Sequence, residues 1–221
     1  MKIERLKIYT SNLEEQLQFY QHVLGLEVQQ VNNGSIEVKT GFSVLEIQQR
    51  DEATPYHIAF HIGAFKEEQA LIWLKERVGI LQDKGKEIVD FPDWNARSVY
   101  FYDADKNILE FISRRHCFLS DDLDFGPGSI IGISEIGLAT SEVKPAFDLL
   151  NREFGLRKFT GDYQVFCASG DDEGLFIIIN KEKKKWFPSD DQAFASPFDI
   201  NIYSNGRISA LSYTNERLEL L

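Results

Sequence analysis

Only two cysteines, Cys117 and Cys167, occur in 221 residues. That is too few for a disulfide framework of the kind that staples small secreted domains. No apolar run is long enough to span a membrane, and no segment has the charged, apolar and small-residue regions of a signal peptide. A cytoplasmic protein with no membrane partner is therefore expected. Basic charge is scarce: 24 Lys and Arg face 35 Asp and Glu, for a net charge of −11. That balance favours solubility and argues against nucleic acid as a partner. The one basic run, Lys181-Glu182-Lys183-Lys184-Lys185, follows a strand-like segment and reads as a solvated loop. The chain also has no Gly-rich phosphate loop, no Gly-x-Ser-x-Gly elbow and no Cys-x-x-Cys pair, so three common chemistries have no foothold. Hydrophobic residues make up 43% of the chain, enough for a genuine core in one large or two small domains.

A long repeat organises what is present. Residues 5–26 match residues 135–156 without a gap, at an offset of 130. Each copy opens with a short alternating run, Leu6-Lys7-Ile8-Tyr9 and Ile136-Gly137-Leu138-Ala139. Each then carries Thr-Ser where a helix should start and Gly-Leu where it should end, at Gly25-Leu26 and Gly155-Leu156. Ser11 followed by Glu14 has the spacing of a capping box. Leu13, Leu17, Tyr20 and Leu24 form one helical face.

The segment from Tyr56 to His61 opens a more diverged copy, with a helix expected over Phe65–Val78 and three strands near 86–90, 97–103 and 107–113. The unit is thus β-α-β-β-β, repeated over 3–50, 55–114 and 132–181. The tail 197–221 offers strands around the turn Ser204-Asn205-Gly206 but no helix, so a fourth unit is incomplete. These patterns predict an α+β fold of repeated βαβββ units forming curved, mostly antiparallel sheets. The expected division is a first domain over 1–115 in which the units 3–50 and 55–114 pair, a linker over 116–131 containing Asp121, Asp122 and Asp124, and a second domain over 132–221. The tail hairpin is expected to add to the 132–181 sheet. Because that unit lacks a full partner, a homodimer is expected to cover what remains of its edge.

Glu46, His57 and Glu110 fall on strand-like segments and can share polar strand faces. Two carboxylates and an imidazole form a divalent-metal set. At this stage the sequence resembles the vicinal-oxygen-chelate superfamily, which includes glyoxalase I, bleomycin-resistance proteins and extradiol dioxygenases. The residues that carry the resemblance are Phe19-Tyr20-Gln21-His22-Val23-Leu24-Gly25-Leu26, the hairpin Asp103-Ala104-Asp105-Lys106-Asn107-Ile108-Leu109-Glu110-Phe111 and the strand opening His57-Ile58-Ala59-Phe60. The resemblance implies metal ligands on the first and last strands of two paired units: Arg5 and His57 on the first strands, Glu46 and Glu110 on the last. Arg5 departs from the pattern, since a guanidinium has no lone pair to donate. It either holds an anionic substrate or replaces the metal by pairing with Glu46 or Glu110.

Each candidate also has a plainer reading. His57 can be a satisfied histidine lining a cavity, and Glu46 and Glu110 can be ion-pair partners of Arg5. His61, four residues beyond His57, reads as facing solvent or a polar cavity wall. Tyr56, Trp94, Tyr100 and Phe101 are either pocket lining or core. Glu135 occupies the first-strand position of the third unit, but its last strand, Gly174 to Ile179, lacks a matching carboxylate, and a structural role is expected for that half. Two classes of function remain. One is a lyase, isomerase or dioxygenase that uses zinc, manganese, nickel or iron on a small molecule with neighbouring oxygens, with Glu110 as base and Arg5 as substrate anchor. The other is a metal-free protein that sequesters small molecules.

Overall fold

The helices start differently from expectation. The computed structural model describes residues 1–120 and 123–221; Asp121 and Asp122, in the expected linker, lie outside the described residues. The first unit runs β1 (Lys2–Thr10), α1 (Leu13–Gln18), a π-helical turn (Phe19–Val23), β2 (Val28–Asn32), β3 (Ser35–Thr40) and β4 (Ser43–Gln49). Its helix is not capped by Ser11. Thr10 Oγ1 accepts the amide of Asn12 at 2.8 Å, and Gln49 Oε1 accepts that of Leu13 at 2.9 Å. The copy repeats the device, with Thr140 Oγ1 accepting the amide of Glu142 at 3.1 Å. The threonine of each Thr-Ser pair therefore serves the helix start.

The second unit comprises β5 (His57–Ile62), α2 (Glu67–Lys75), the short β6 (Ile80–Leu81), β7 (Val89–Phe91), β8 (Ala96–Tyr102) and β9 (Ile108–Arg114). The third comprises β10 (Ile130–Thr140), α3 (Val143–Phe154), β11 (Lys158–Gly161), β12 (Phe166–Asp171) and β13 (Gly174–Asn180). The tail supplies β14 (Phe198–Ser204), β15 (Arg207–Thr214) and β16 (Arg217–Leu220). Within each full unit the first and last strands are parallel neighbours: β1 with β4, β5 with β9, β10 with β13. A parallel pair needs a long crossover, which the helix and intervening strands supply. The remaining pairs are antiparallel, giving an open α+β sheet of repeated units.

The pairing between units corrects the expected domain plan. β5 does not pair with the first unit; it runs antiparallel to β10, from Ile130↔Ile62 to Ile136↔Ile58. β1 pairs instead with β14 of the tail, from Lys2↔Tyr203 to Lys7↔Asp199. The tail hairpin therefore completes the 3–50 unit rather than the 132–181 unit. The second and third units form an inner pair across the expected 116–131 boundary, and the first unit and the tail form an outer pair. Hydrophobic periodicity gives each strand a face, but nothing local tells an edge which other edge to join.

The two pairs meet at Ile3↔Ile133. There Ser43 Oγ donates to Ile3 O at 2.6 Å and accepts from the Ile133 amide at 2.8 Å. The β3–β4 turn reaches β10 because Gly41, at φ +61°, brings its backbone against Ile131; a Cβ there would meet Ile131 O at 2.0 Å. No helix forms between β13 and β14, and α3 takes over its covering role. It packs on β12 and β13 and reaches β16. Asn205 Nδ2 donates to the carbonyl of Phe154 at 2.8 Å and Arg207 Nη2 to that of Glu153 at 2.9 Å, so the tail satisfies the free carbonyls at that helix end.

Candidate metal centre in the inner pair

Register sets the site. Glu110 on β9 lies opposite Ala59 on β5, and Ala59 lies opposite Glu135 on β10. Three neighbouring strands thus present Glu, Ala and Glu in a row. The small Ala59 side chain leaves the space between the two carboxylates open. His57, two residues earlier on β5, shares their face. One ligand atom from each of His57, Glu110 and Glu135 lies within 4.8 Å of the others, and all three residues are buried. His57 Nε2 is 3.5 Å from Glu110 Oε2.

The structure brings together only part of the expected set. His57 and Glu110 converge, and their third partner is Glu135 from the unit for which a structural role was expected. Glu46 and Arg5 are in the outer pair. Arg5 Nη1 bonds Glu46 Oε2 at 2.9 Å and Glu37 Oε1 at 2.7 Å, and Lys7 Nζ is 3.6 Å from Glu46 Oε1. The Arg5–Glu46 pairing anticipated from sequence therefore forms, but away from His57 and Glu110. The repeat explains both halves. Glu46 lies opposite Lys7, two residues after Arg5, just as Glu110 lies opposite the residue two after His57. The matching position in the third unit is opposite Gly137, two after Glu135, and it holds Ile177. The inner pair thus carries three of four ligand positions, with an aliphatic side chain at the last.

Charge in this centre is arranged by burial. Burial holds the His57 imidazole down to about 4, with a backbone contact at Ile108 acting weakly the other way, so its ring is neutral at physiological pH. Burial and then the charge of Glu135 push the Glu110 carboxyl upward. Burial also raises Glu135, against the opposing pull of Arg114. The Arg114 side chain is itself 0% exposed and bonds Glu135 Oε1 at 2.6 Å and Ser134 Oγ at 2.8 Å.

The centre forms the floor of a cleft of about 370 Å³ whose walls are largely aromatic. Trp94 and Tyr100 line it, whereas Tyr56 and Phe101 belong to the core behind. Trp186, on the segment between β13 and β14, lies over His57 with ring centres 5.2 Å apart. Gly137 makes room for it: a Cβ there would be 2.6 Å from Trp186. Trp186 was not singled out from sequence, because it sits in an irregular stretch with no periodicity to place it.

His61 is neither in the cleft nor in solvent. It shares a strand face with His57, but at its end of β5 that face is covered by Phe42 and Phe118, with ring centres 6.5 and 4.6 Å away. Burial, reinforced by Arg114, pushes its pKa down to about 3. The folded value lies below the unfolded one, so the resulting stability is complete above the unfolded pKa of about 6.5 and is lost as pH falls toward 3. Replacing His61→Gln removes that proton uptake on unfolding. Below pH of about 6.5 the variant should gain on the wild type by up to about 1.4 kcal/mol per pH unit. Urea unfolding at pH 8, 6 and 5 reads this directly, and a difference that stays constant with pH contradicts it.

Among the described residues no helix is long and apolar enough to cross a membrane. The sequence profile of the Glyoxalase/Bleomycin resistance protein/Dioxygenase superfamily matches residues 2–111. Among solved structures, the chain is similar to a putative dioxygenase from Bacillus subtilis, at TM-score 0.59 and 15% identity over 81% of this chain. It spans 63% of the length of that protein. Glyoxalase I from Zea mays (a V278E mutant) aligns at TM-score 0.49 and 12% identity, covering 80% of this chain and 66% of that one. Lactoylglutathione lyase from Agrobacterium tumefaciens aligns at TM-score 0.44 and 18% identity, covering 51% and 93%. No curated protein sequence matches.

Proposed function

Because the chain belongs to the glyoxalase, bleomycin-resistance and dioxygenase superfamily, we propose that it holds a divalent metal ion on His57, Glu110 and Glu135 and acts on a small molecule with two neighbouring oxygens, as a lyase, isomerase or dioxygenase. The observation that carries this reading is the convergence of one neutral imidazole and two carboxylates, all buried, on the floor of an aromatic cleft. The donor set suits zinc, manganese, nickel or iron. Two buried carboxylates raise each other's proton affinity, and a dication is what relieves that repulsion.

A metal bound there supplies Lewis acidity to the paired oxygens of the substrate. The protein does the rest. Trp186 packed on His57 fixes the imidazole ring. Arg114 holds one oxygen of Glu135, which orients the carboxylate. Glu110, whose burial raises the proton affinity of its carboxylate and so strengthens it as a base, is placed to take a proton from substrate and return it. The aromatic walls exclude water, which strengthens every charge interaction inside.

Titration with manganese by calorimetry tests the reading. One ion should bind per chain, and His57→Ala or Glu135→Gln should weaken it by more than about 100-fold, the upper end for loss of a mere supporting partner. Arg5→His and Glu46→Gln should leave that affinity unchanged. A wild-type protein that binds no divalent ion would favour the sequestering alternative, for which the aromatic cleft alone suffices.

A further inference from the structure

Lys184 is the one cation among the described residues that line the cleft, whose remaining charge comes from Glu110 and Glu135. It is half-buried, with its ammonium 5.9 Å from the centre of the Phe166 ring, and among the described residues no carboxylate pairs with it. Lys183 and Lys185 flank it in the open. One lysine of the basic run that reads from sequence as a solvated loop thus lines the cleft of a chain whose net charge is −11. Two residues further along the same segment is Trp186. It is 6% exposed, and its buried indole N–H has no hydrogen-bond partner among the described residues. A buried donor without a partner is costly, and an acceptor brought by a ligand removes the cost. The segment therefore offers the cleft a positive charge and a free N–H, while Phe91, Trp94 and Phe187 supply flat apolar surface.

We propose that the cleft takes an aromatic or similarly planar molecule bearing one anionic group, and that this group is held by Lys184 and the Trp186 indole. The rest of the ligand lies between the aromatic walls. The direction of its oxygens toward His57, Glu110 and Glu135 rests on the metal-centred reading above; the anion anchor does not. A cationic side chain at the cleft of an acidic protein also helps draw an anion to it.

The test uses the full chain without added metal and two probes of matched shape, 2-naphthoate and 2-naphthalenemethanol, followed by quenching of tryptophan fluorescence. Naphthoate should bind about five- to ten-fold more tightly, as expected for one charge-assisted contact. Lys184→Gln should abolish that preference and Lys184→Glu should reverse it, while affinity for the alcohol stays put. Rising salt should narrow the gap. Equal affinities in the wild type, or a preference that survives Lys184→Gln, overturns the proposal. Manganese binding is measured separately on the same proteins. Loss of the metal reading leaves the naphthoate preference intact, and loss of the anchor leaves manganese affinity intact.

Discussion

Replacing Arg114 with methionine is expected to destabilise the fold by about 3–5 kcal/mol at neutral pH, the cost of leaving a buried charge without its partner. Arg114 is 0% exposed in its side chain, Glu135 3%, and their contact is 2.6 Å. Methionine fills much of the same space, so the loss falls on charge rather than volume. Glu135 escapes by taking a proton. Its folded pKa then rises further above the unfolded value, and the penalty grows as pH rises from about 4 and shrinks as pH falls. Urea unfolding should show Arg114→Met closest to wild type near pH 5 and furthest from it at pH 8. Adding Glu135→Gln should recover most of the deficit, because the uncompensated charge goes with it. Manganese should stabilise the single variant more than the wild type, since the carboxylate no longer has a competing cation. A small deficit at every pH would mean that Glu135 is satisfied without Arg114.

Removing the tail is expected to have a still larger effect. A chain ending at residue 196 loses β14–β16, and with them the buried side chains of Phe198, Ile200, Ile202, Leu211, Tyr213 and Leu218. Five of these six are apolar throughout and Tyr213 is largely so; at about 1.5–3 kcal/mol each, their burial matches the whole stability of an ordinary domain, about 5–15 kcal/mol. The truncation also strips β1 of its partner over Lys2–Lys7 and frees the carbonyls of Phe154 and Glu153 at the end of α3. The shortened chain should show no cooperative thermal transition and should aggregate through the bare edge of β1. A soluble product that melts at the wild-type temperature would show that the outer pair does not depend on its tail.

The local parts of this structure were legible in the sequence, and the long-range ones were not. Alternation and turn residues placed the strands of each unit, the hairpin at Asn205-Gly206 and the absence of a tail helix. His57 and Glu110 were singled out because the family resemblance implies ligands on first and last strands, and the structure places these two side by side. Glu135 was visible at the matching first-strand position, but Ile177 on the last strand spoke against it, and the choice of pairing hid it further. Consecutive units are the natural guess for partners, whereas here the second joins the third and the first joins the tail. That choice depends on edges meeting across long stretches of chain, from Ile62↔Ile130 in the inner pair to Lys2↔Tyr203 in the outer one, and no periodicity records it. The same gap explains Arg5 and Glu46. The Arg5–Glu46 ion pair was one of the alternatives the sequence offered, beside a metal-ligand role for Glu46 and a substrate-anchor role for Arg5, and their distance from the cleft follows from which edge β1 joins. Lys184 belonged to a basic run that read as a solvated loop, and Trp186 lay just beyond it with no period to place it.

The nested pairing also sets an order of events during synthesis. β1 is made long before its antiparallel neighbour β14, which begins only at residue 198. The second and third units can close on each other while the first still waits, its edge open until the tail is made. Contacts of such wide sequence separation form slowly, and a strand edge left unpaired meanwhile is exposed to other nascent copies. The N-terminal strand should therefore be the last to gain protection from amide exchange as the released chain folds.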